Sequence, residues 1–210
     1  MTGPTIIHLP EDEVDVAVRI LSDAFHGDPI LTFFLNEPNR RKEAFRVFFG
    51  NVVQTHLRFG HVYAAVVRGE IVGVAVWRPP NAKENHKDKI NGTSVRKRVR
   101  ILFPETSEEM FFGFEAARRL HPSVPHWYLF FVGVEPASQG LGIGSKLLSP
   151  VLRLADETGT LCYLETPFPR TIPFYENLGF GIPTKSNPFR GAPMLWTMTR
   201  KPTPSKGRVE

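Results

Sequence analysis

The sequence predicts an α/β (α+β) fold: a mixed β-sheet with a central parallel strand pair, flanked by helices on both faces. Three observations lead there. Patterned segments run in the order helices, hairpin, helices, then strand, helix, strand, helix, strand, and the alternating second half builds parallel neighbours. Two β-branched runs, "HVYAAVV" and "IVGVAVWR", are separated only by "RGE", the signature of an antiparallel hairpin. From His126 the run "HWYLFFVGV" is apolar on both faces, the composition of a central strand covered by helices. The 210 residues fit one domain over 1–200, with 201–210 as a frayed tail.

Each element has its own signal. "PEDEVDVAVRILSDAF" opens on acidic residues, favourable at a helix N-terminus, and carries Val14, Val18, Leu21 and Phe25 at helical spacing. "HGDP" breaks that helix. In "RRKEAFRVFFGNVVQTHLRF" a second helix turns Phe45, Phe48, Phe49, Val52 and Val53 inward. After the hairpin, the polar, proline-bearing "PPNAKENHKDKING" reads as a loop. "SEEMFFGFEAARRL" is a helix with Ser107 in capping position, ended by "HPSVP". "SKLLSPVLRLADETG" offers Leu147, Leu148, Val151, Leu152 and Leu154 for burial, with a local bend at Pro150. "TLCYLET" is a strand, "TIPFYENLGF" a short helix and turn, and "PMLWTMTR" the last strand.

Hydrophobic residues make up 41% of the chain and charged ones 22%, ordinary for a globular protein. No apolar run approaches the roughly 18 residues of a membrane span, and "MTGPTIIHLPEDE" lacks the layout of a signal peptide. The expected setting is cytoplasmic, with no membrane partner. Cys162 is the single cysteine, so it forms no internal disulfide, and in "LCYLE" it reads as a small buried hydrophobe. Histidines, cysteine and carboxylates show no ligand spacing, so no metal is expected. The net charge of +5 draws anions: nucleic acid, an acidic surface or a phosphorylated cofactor. The densest basic run, "SVRKRVRILF", places Val95, Val99 and Leu102 on one helical face and Arg96, Lys97, Arg98 and Arg100 on the rest. It carries no interleaved aromatics for base stacking, so a solvated helix face is expected, and no specific nucleic-acid partner.

The stretch "VGVEPASQGLGIGSKLL" concentrates glycine where a strand gives way to a helix. Pro136 takes the chain out of the sheet ladder, because it has no N–H to donate. "QGLGIG" then leaves successive backbone N–H groups at a helix N-terminus, where the dipole favours a phosphate or pyrophosphate. The Walker pattern is absent, and glycines at 140, 142 and 144 do not match the dinucleotide fingerprint. A plain turn and a ligand loop both remain open from these residues alone.

The arrangement Gln139-x-x-Gly142-x-Gly144, preceded by "VGVEP" and followed by "FYENLGF", resembles the GNAT family of N-acetyltransferases. The likeness covers roughly the last two-thirds of the chain. Within that family "HWYLFFVGVEPASQGLGIGSKLL", "LETPFPRTIPFYENLGF" and "WTMTRKP" look like the branch that acetylates puromycin, which makes an aminonucleoside one candidate acceptor. The resemblance implies transfer of an acetyl group from acetyl-CoA to a primary amine of a small molecule, by direct attack on the thioester. By position, the amides of Gly140, Leu141, Gly142, Ile143, Gly144 and Ser145 would hold the CoA pyrophosphate, with Gln139 opening the loop. Val132, Gly133 and Val134 would lie along the pantetheine arm, and a splay between "FFVGV" and "CYLET" would form the thioester slot. Tyr175 matches the tyrosine that protonates the leaving sulfur.

Glu165 is a candidate acceptor of the amine proton, with an equal alternative as a structural carboxylate paired to Arg170 or a helix end. His126, His26 and Asp28 are weaker base candidates. Trp77, Trp127, Phe33 and Phe34 are candidates for core packing or an aromatic pocket wall. The chain departs from the family in "TPFPRT", where Pro167, Phe168 and Thr171 replace the usual polar residues before the tyrosine helix. A peptide or protein N-acetyltransferase and a non-catalytic CoA-binding sensor stay open as alternatives, as do monomer and homodimer.

Overall fold

The computed structural model of the chain describes residues 3–82 and 93–203. Of the loop read at 79–92, residues 83–92 lie outside the described residues, as does the tail beyond 203. The first half comprises β1 (Thr5–His8), α1 (Val14–Ala24), α2 (Pro29–Phe34), α3 (Pro38–Leu57), the hairpin β2 (Val62–Val67) and β3 (Glu70–Arg78), α4 (Thr93–Leu102) and α5 (Ser107–Ala117). The second half comprises β4 (His126–Val134), α6 (Ile143–Glu157), β5 (Leu161–Thr166), α7 (Ile172–Glu176), β6 (Thr184–Ser186) and β7 (Leu195–Arg200). The seven strands make one sheet in the order β1-β2-β3-β4-β5-β7-β6. Its β4–β5 pair is parallel and the other pairs are antiparallel, as the sequence predicts.

Strand alternation divides the core in two. Val62, Ala64, Val74 and Val76 face the layer built by α1 to α5, where Phe34, Phe45, Phe48 and Phe49 are buried. Tyr63, Ala65, Ala75 and Trp77 face the opposite side, where Leu147, Leu148 and Val151 of α6 cover the sheet. Arg68 and Gly69, both with positive φ, form the two-residue turn that suits the twist of the β2–β3 hairpin. Pro150 lies inside α6.

Between β3 and β4 the register breaks. Val76 pairs with Phe131 but Trp77 pairs with Leu129, so Phe130 is an extra residue on β4, a β-bulge. On its other edge β4 pairs with β5 only from His126 to Leu129, opposite Leu161 to Leu164. The bulge therefore sits where β4 leaves β5. It also shifts the alternation: Trp127 and Leu129 face the α6 side before it, Val132 and Val134 after it, and Phe130 and Phe131 both turn toward α1 to α5.

Three elements escape the sequence patterns. β1 is four residues long and largely exposed, too short to show alternation, and β6 is three residues. α2 is six residues, made by Asp28 and Pro29 inside the supposed break. Asp28 caps it, accepting from the N–H groups of Ile30 at 2.9 Å and Leu31 at 2.8 Å. The expected cap at Ser107 is not formed. Thr106 precedes α5, its hydroxyl bonds the Phe34 carbonyl, and the buried Ser107 hydroxyl has no partner among the described residues. On α4, Arg98 pairs with Glu43 at 2.7 Å, Arg100 with Glu108 at 3.8 Å, and Arg96 also with Glu108. Those half-exposed pairs fit a solvated face. No helix among the described residues is long and apolar enough to cross a membrane.

Replacing Asp28 with Ala leaves two backbone donors at α2 without acceptors. The expected outcome is a loss of about 0.5–2 kcal/mol in urea unfolding, with unchanged strand content by circular dichroism.

Candidate active site

A cleft of about 590 Å³ opens along β4 beyond the bulge. Phe130 to Val134, the 139–145 junction, the Thr166–Thr171 turn and Tyr175 line it. Glu135 donates its N–H to the Val72 carbonyl at 2.9 Å, on the β3 side. Alternation along a strand puts the main-chain groups of Gly133 on that same side, and those of Val132 and Val134 on the opposite side, toward the gap. The Val134 carbonyl accepts from Gln139 Nε2 at 3.0 Å, so Gln139 ties the loop to the strand end. That leaves the N–H and C=O of Val132 and the N–H of Val134 facing the cleft.

Gly133 lines the cleft and has a further task in the packing. A Cβ there would lie 2.9 Å from the Ala24 Cβ and 3.2 Å from Leu21 Cδ2. The missing side chain lets α1 cross β4 at close range, and the Gly133 main chain serves β3 and not the gap.

The glycine junction is built as an open helix end. Gly140 and Gly142 have φ of 77° and 73°, and nothing lies within 4 Å of where a Cβ would stand at either. Gly142 is the N-cap of α6 and supplies no side-chain acceptor, and the first turn holds no acidic residue. The early N–H groups of a helix have no intrahelical partner, so those of Ile143, Gly144 and Ser145 face this open space with the positive end of a fifteen-residue dipole. Ile143 is anchored in the core at 3% exposure. Leu141 does not line the cleft, and its side chain is 70% exposed. At Gly144 a Cβ would meet the Phe174 ring at 3.2 Å. The absent side chain thus seats α7, and with it Tyr175, against the first turn of α6.

Tyr175 is 7% exposed and lines the cleft; its ring packs on Phe174 and Phe180, at centroid distances of 5.0 and 5.9 Å. Its hydroxyl makes no hydrogen bond among the described residues, and burial pushes its pKa above the ordinary tyrosine value. It keeps its proton and has it free to give. The "TPFPRT" departure spends its polar groups on itself: Thr166 and Thr171 hydroxyls meet at 2.9 Å, and the Thr171 hydroxyl bonds the Phe168 carbonyl at 2.8 Å. The Arg170 guanidinium stands over the Phe168 ring, 4.5 Å from its centroid, at the cleft wall.

The expected alternative pairing of Glu165 with Arg170 is not formed. Glu165 accepts from the Tyr163 hydroxyl at 2.8 Å and the Tyr128 hydroxyl at 3.3 Å, and His121 Nε2 lies 3.6 Å from its Oε1. Burial pushes its carboxyl up to about 7, against the lowering effect of the two tyrosine hydrogen bonds. Burial and then the Glu165 charge push both tyrosines above their ordinary range, so they remain donors. The result is a carboxyl that titrates at neutral pH, as a general base should.

A second cavity of about 480 Å³ adjoins the cleft, and Phe114, Tyr128, Phe130 and Glu165 line both. Phe59, His56, Arg78, Glu115, Arg118 and His121 complete much of its wall. Sequence reasoning missed this set, which is gathered from α3, β3, α5 and β4 with no shared motif. Trp77, Trp127, Phe33 and Phe34, which the sequence offers for core packing or a pocket wall, line neither cavity. Trp77, Trp127 and Phe34 are core residues, and Phe33 is 43% exposed. Of the weaker base candidates, His26 is exposed, Asp28 is committed to capping α2, and His126 bonds the Val124 carbonyl at 2.8 Å. Cys162 is buried and its thiol is pushed up to about 12 by burial, so it behaves as a hydrophobe.

A mixed sheet whose one parallel pair parts over an open helix N-terminus is the architecture of acetyltransferases that use a CoA thioester. The chain belongs to the GNAT acetyltransferase family, whose model matches residues 28–180. An uncharacterized N-acetyltransferase of Schizosaccharomyces pombe is 28% identical over 173 residues, covering 78% of this chain and 69% of the relative. A Corynebacterium glutamicum structure described as histone acetyltransferase HPA2 and related acetyltransferase superposes with a TM-score of 0.73 at 26% identity, over 98% of this chain and 100% of that one. Arylalkylamine N-acetyltransferase 7 of the mosquito Aedes aegypti shares the fold, with a TM-score of 0.62 and 17% identity over 93% of this chain and 86% of its own.

Tyr163→Phe removes a donor that favours the charged form of Glu165. A carboxyl carbon NMR titration of the variant is expected to place the Glu165 midpoint above the value near 7 of the parent chain. An unchanged or lower midpoint contradicts the arrangement described.

Proposed function

We propose that the chain transfers the acetyl group of acetyl-CoA to the primary amine of a small molecule. The observation that carries this reading is the junction of two cavities at Glu165, with Tyr175 in the first of them. Support for the cofactor comes from the left-handed Gly140 and Gly142, which leave a cradle that side chains would fill, and from the Val132 edge, which lines the same cleft. The amides of Gly140 to Ser145 would hold the pyrophosphate, Arg170 would add positive charge, and Val132 and Val134 would pair with the pantetheine. Acetyl-CoA supplies the activated acyl carbon.

The residues of the chain then divide the proton work. Glu165, as carboxylate, takes a proton from the ammonium of an acceptor held in the second cavity. The freed nitrogen bonds the acyl carbon, the carbon–sulfur bond breaks, and Tyr175 gives its proton to the departing sulfur. The acylated nitrogen, which still carries two hydrogens, gives one to restore Tyr175 and keeps the other as the amide N–H, so the proton held by Glu165 is the one left over per turnover. An N–H of the Val132–Val134 edge would polarise the carbonyl. Holding both reactants in attack geometry supplies up to ~7–11 kcal/mol of the barrier reduction.

Phe59, Phe114, Tyr128 and Phe130 give the second cavity flat apolar walls, which support an acceptor with an aromatic or heterocyclic body, an aminonucleoside such as puromycin among them. Incubation with acetyl-CoA and a panel of amines, including puromycin, polyamines and a lysine peptide, with detection of free thiol, tests the reading. Turnover is expected on aromatic small amines, and turnover on the peptide alone would contradict it. Tyr175→Phe is expected to lower kcat by about 10²–10⁴-fold while calorimetry shows an unchanged Kd for CoA. A chain that only senses CoA has no turnover to lose. Because Glu165 must be ionised to act, kcat/KM is expected to rise with pH through about 7 and level off above it. Glu165→Gln is expected to remove that limb.

A further inference from the structure

Glu165 is 13% exposed at its side chain, and in the acceptor cavity two histidines, His121 and His126, line the wall with it. We propose that His121 and His126 form a relay that carries the substrate proton from Glu165 to solvent. The proposal rests on the acetyltransferase reading above.

One carbonyl sets the hydrogens of both rings. His126 Nδ1 lies 2.8 Å from the Val124 carbonyl, and a carbonyl can only accept, so that nitrogen carries the hydrogen. In the neutral ring Nε2 then has none, and it lies 3.0 Å from His121 Nδ1, which must be the donor. The same logic leaves His121 Nε2 without a hydrogen, and this is the nitrogen that faces Glu165 Oε1 at 3.6 Å. A base is thus aimed at the carboxyl that receives the substrate proton.

Packing holds the geometry. The His121 ring lies against Tyr128 of β4 and Tyr163 of β5, each with centroids 4.5 Å away, the two phenols that donate to Glu165. Arg78 of β3, Glu115 of α5 and Arg118 are the other charged groups around the same cavity. His121, with its side chain 21% exposed, lines the same cavity as Glu165.

Acetylation of an ammonium by a thioester yields amide, thiol and one proton. In the relay the Glu165 O–H passes that proton to His121 Nε2. The resulting imidazolium gives its Nδ1 proton to His126 Nε2, and the His126 imidazolium loses one proton to water. Exchange of ring hydrogens with solvent restores the starting tautomers. His121 and His126 act through Glu165 and touch no reacting atom.

Two measurements on the full chain test this. Long-range ¹H–¹⁵N NMR, which needs no substrate, is expected to show neutral His121 and His126 both as Nδ1–H tautomers. It is also expected to show the His121 titration midpoint falling in Glu165→Gln, where the facing carboxylate is gone. An Nε2–H tautomer on His121, or a midpoint unmoved by Glu165→Gln, overturns the relay. In steady state, with acetyl-CoA and the fastest amine of the panel, His121→Ala is expected to lower kcat about 10- to 100-fold, with KM for acetyl-CoA held within about twofold. Added imidazole is expected to restore kcat several-fold, in proportion to its unprotonated fraction. Wild-type kcat in the variant, or a loss that imidazole leaves unchanged, overturns it. Absence of turnover by the parent chain on every amine would count against the functional reading, and the tautomers still decide the relay.

Discussion

The Phe130 bulge is the constraint on which the site depends. Up to Leu129, β4 is an ordinary inner strand, paired with β3 on one edge and with β5 on the other. One extra residue bends it away, and from there its outer edge has no ladder partner while its inner edge continues along β3 to Val134. Buried main-chain groups need partners. Here they face a cleft, and a ligand with an extended polyamide arm would complete the ladder that β5 abandons. The same displacement turns Phe130 and Phe131 both toward the helical layer, where Phe131 packs on Phe25, Phe48 and Phe49 with centroid distances of 5.0, 6.0 and 5.2 Å. The opening is therefore pinned by aromatic packing and does not depend on loop conformation.

The cleft carries two kinds of electrostatic character, one made by an open helix end and one by burial. At the α6 end, uncapped N–H groups and the exposed Arg170 present positive charge at a solvent-facing surface. Deeper in the cleft, loss of solvent raises the carboxyl of Glu165 to about 7 and keeps the buried Tyr175 protonated. An anion is favoured at the helix end and proton exchange at the buried groups. Such a polarised cleft orients an anionic carrier with its reactive terminus toward the titratable groups.

What the sequence made legible followed local rules. The hairpin, the helical faces, the β4–α6 junction and the place of Tyr175 are each written in contiguous residues, and each appears in the fold. Gly133 was legible as a glycine but not as the crossing point of α1, since Ala24 and Leu21 come from the far end of the chain. Glu165 was legible as a carboxylate ending a strand. Its partners were not, because Tyr128 lies on another strand and His121 in a connection that carries no pattern. The bulge left no trace either: in "HWYLFFVGV" nearly every residue is apolar, so a shift of one position changes no polarity. α2 hid inside "HGDP", where a capping aspartate before proline starts a helix as readily as it ends one.

The open β4 edge and the uncapped start of α6 are together the proposed seat of CoA. Backbone amide NMR during titration of the full chain with CoA tests it most directly. The largest shifts are expected at the amides of Val132, Val134 and residues 140–145, saturating together. Saturable shifts confined to other parts of the chain, or none anywhere at millimolar CoA, would contradict it.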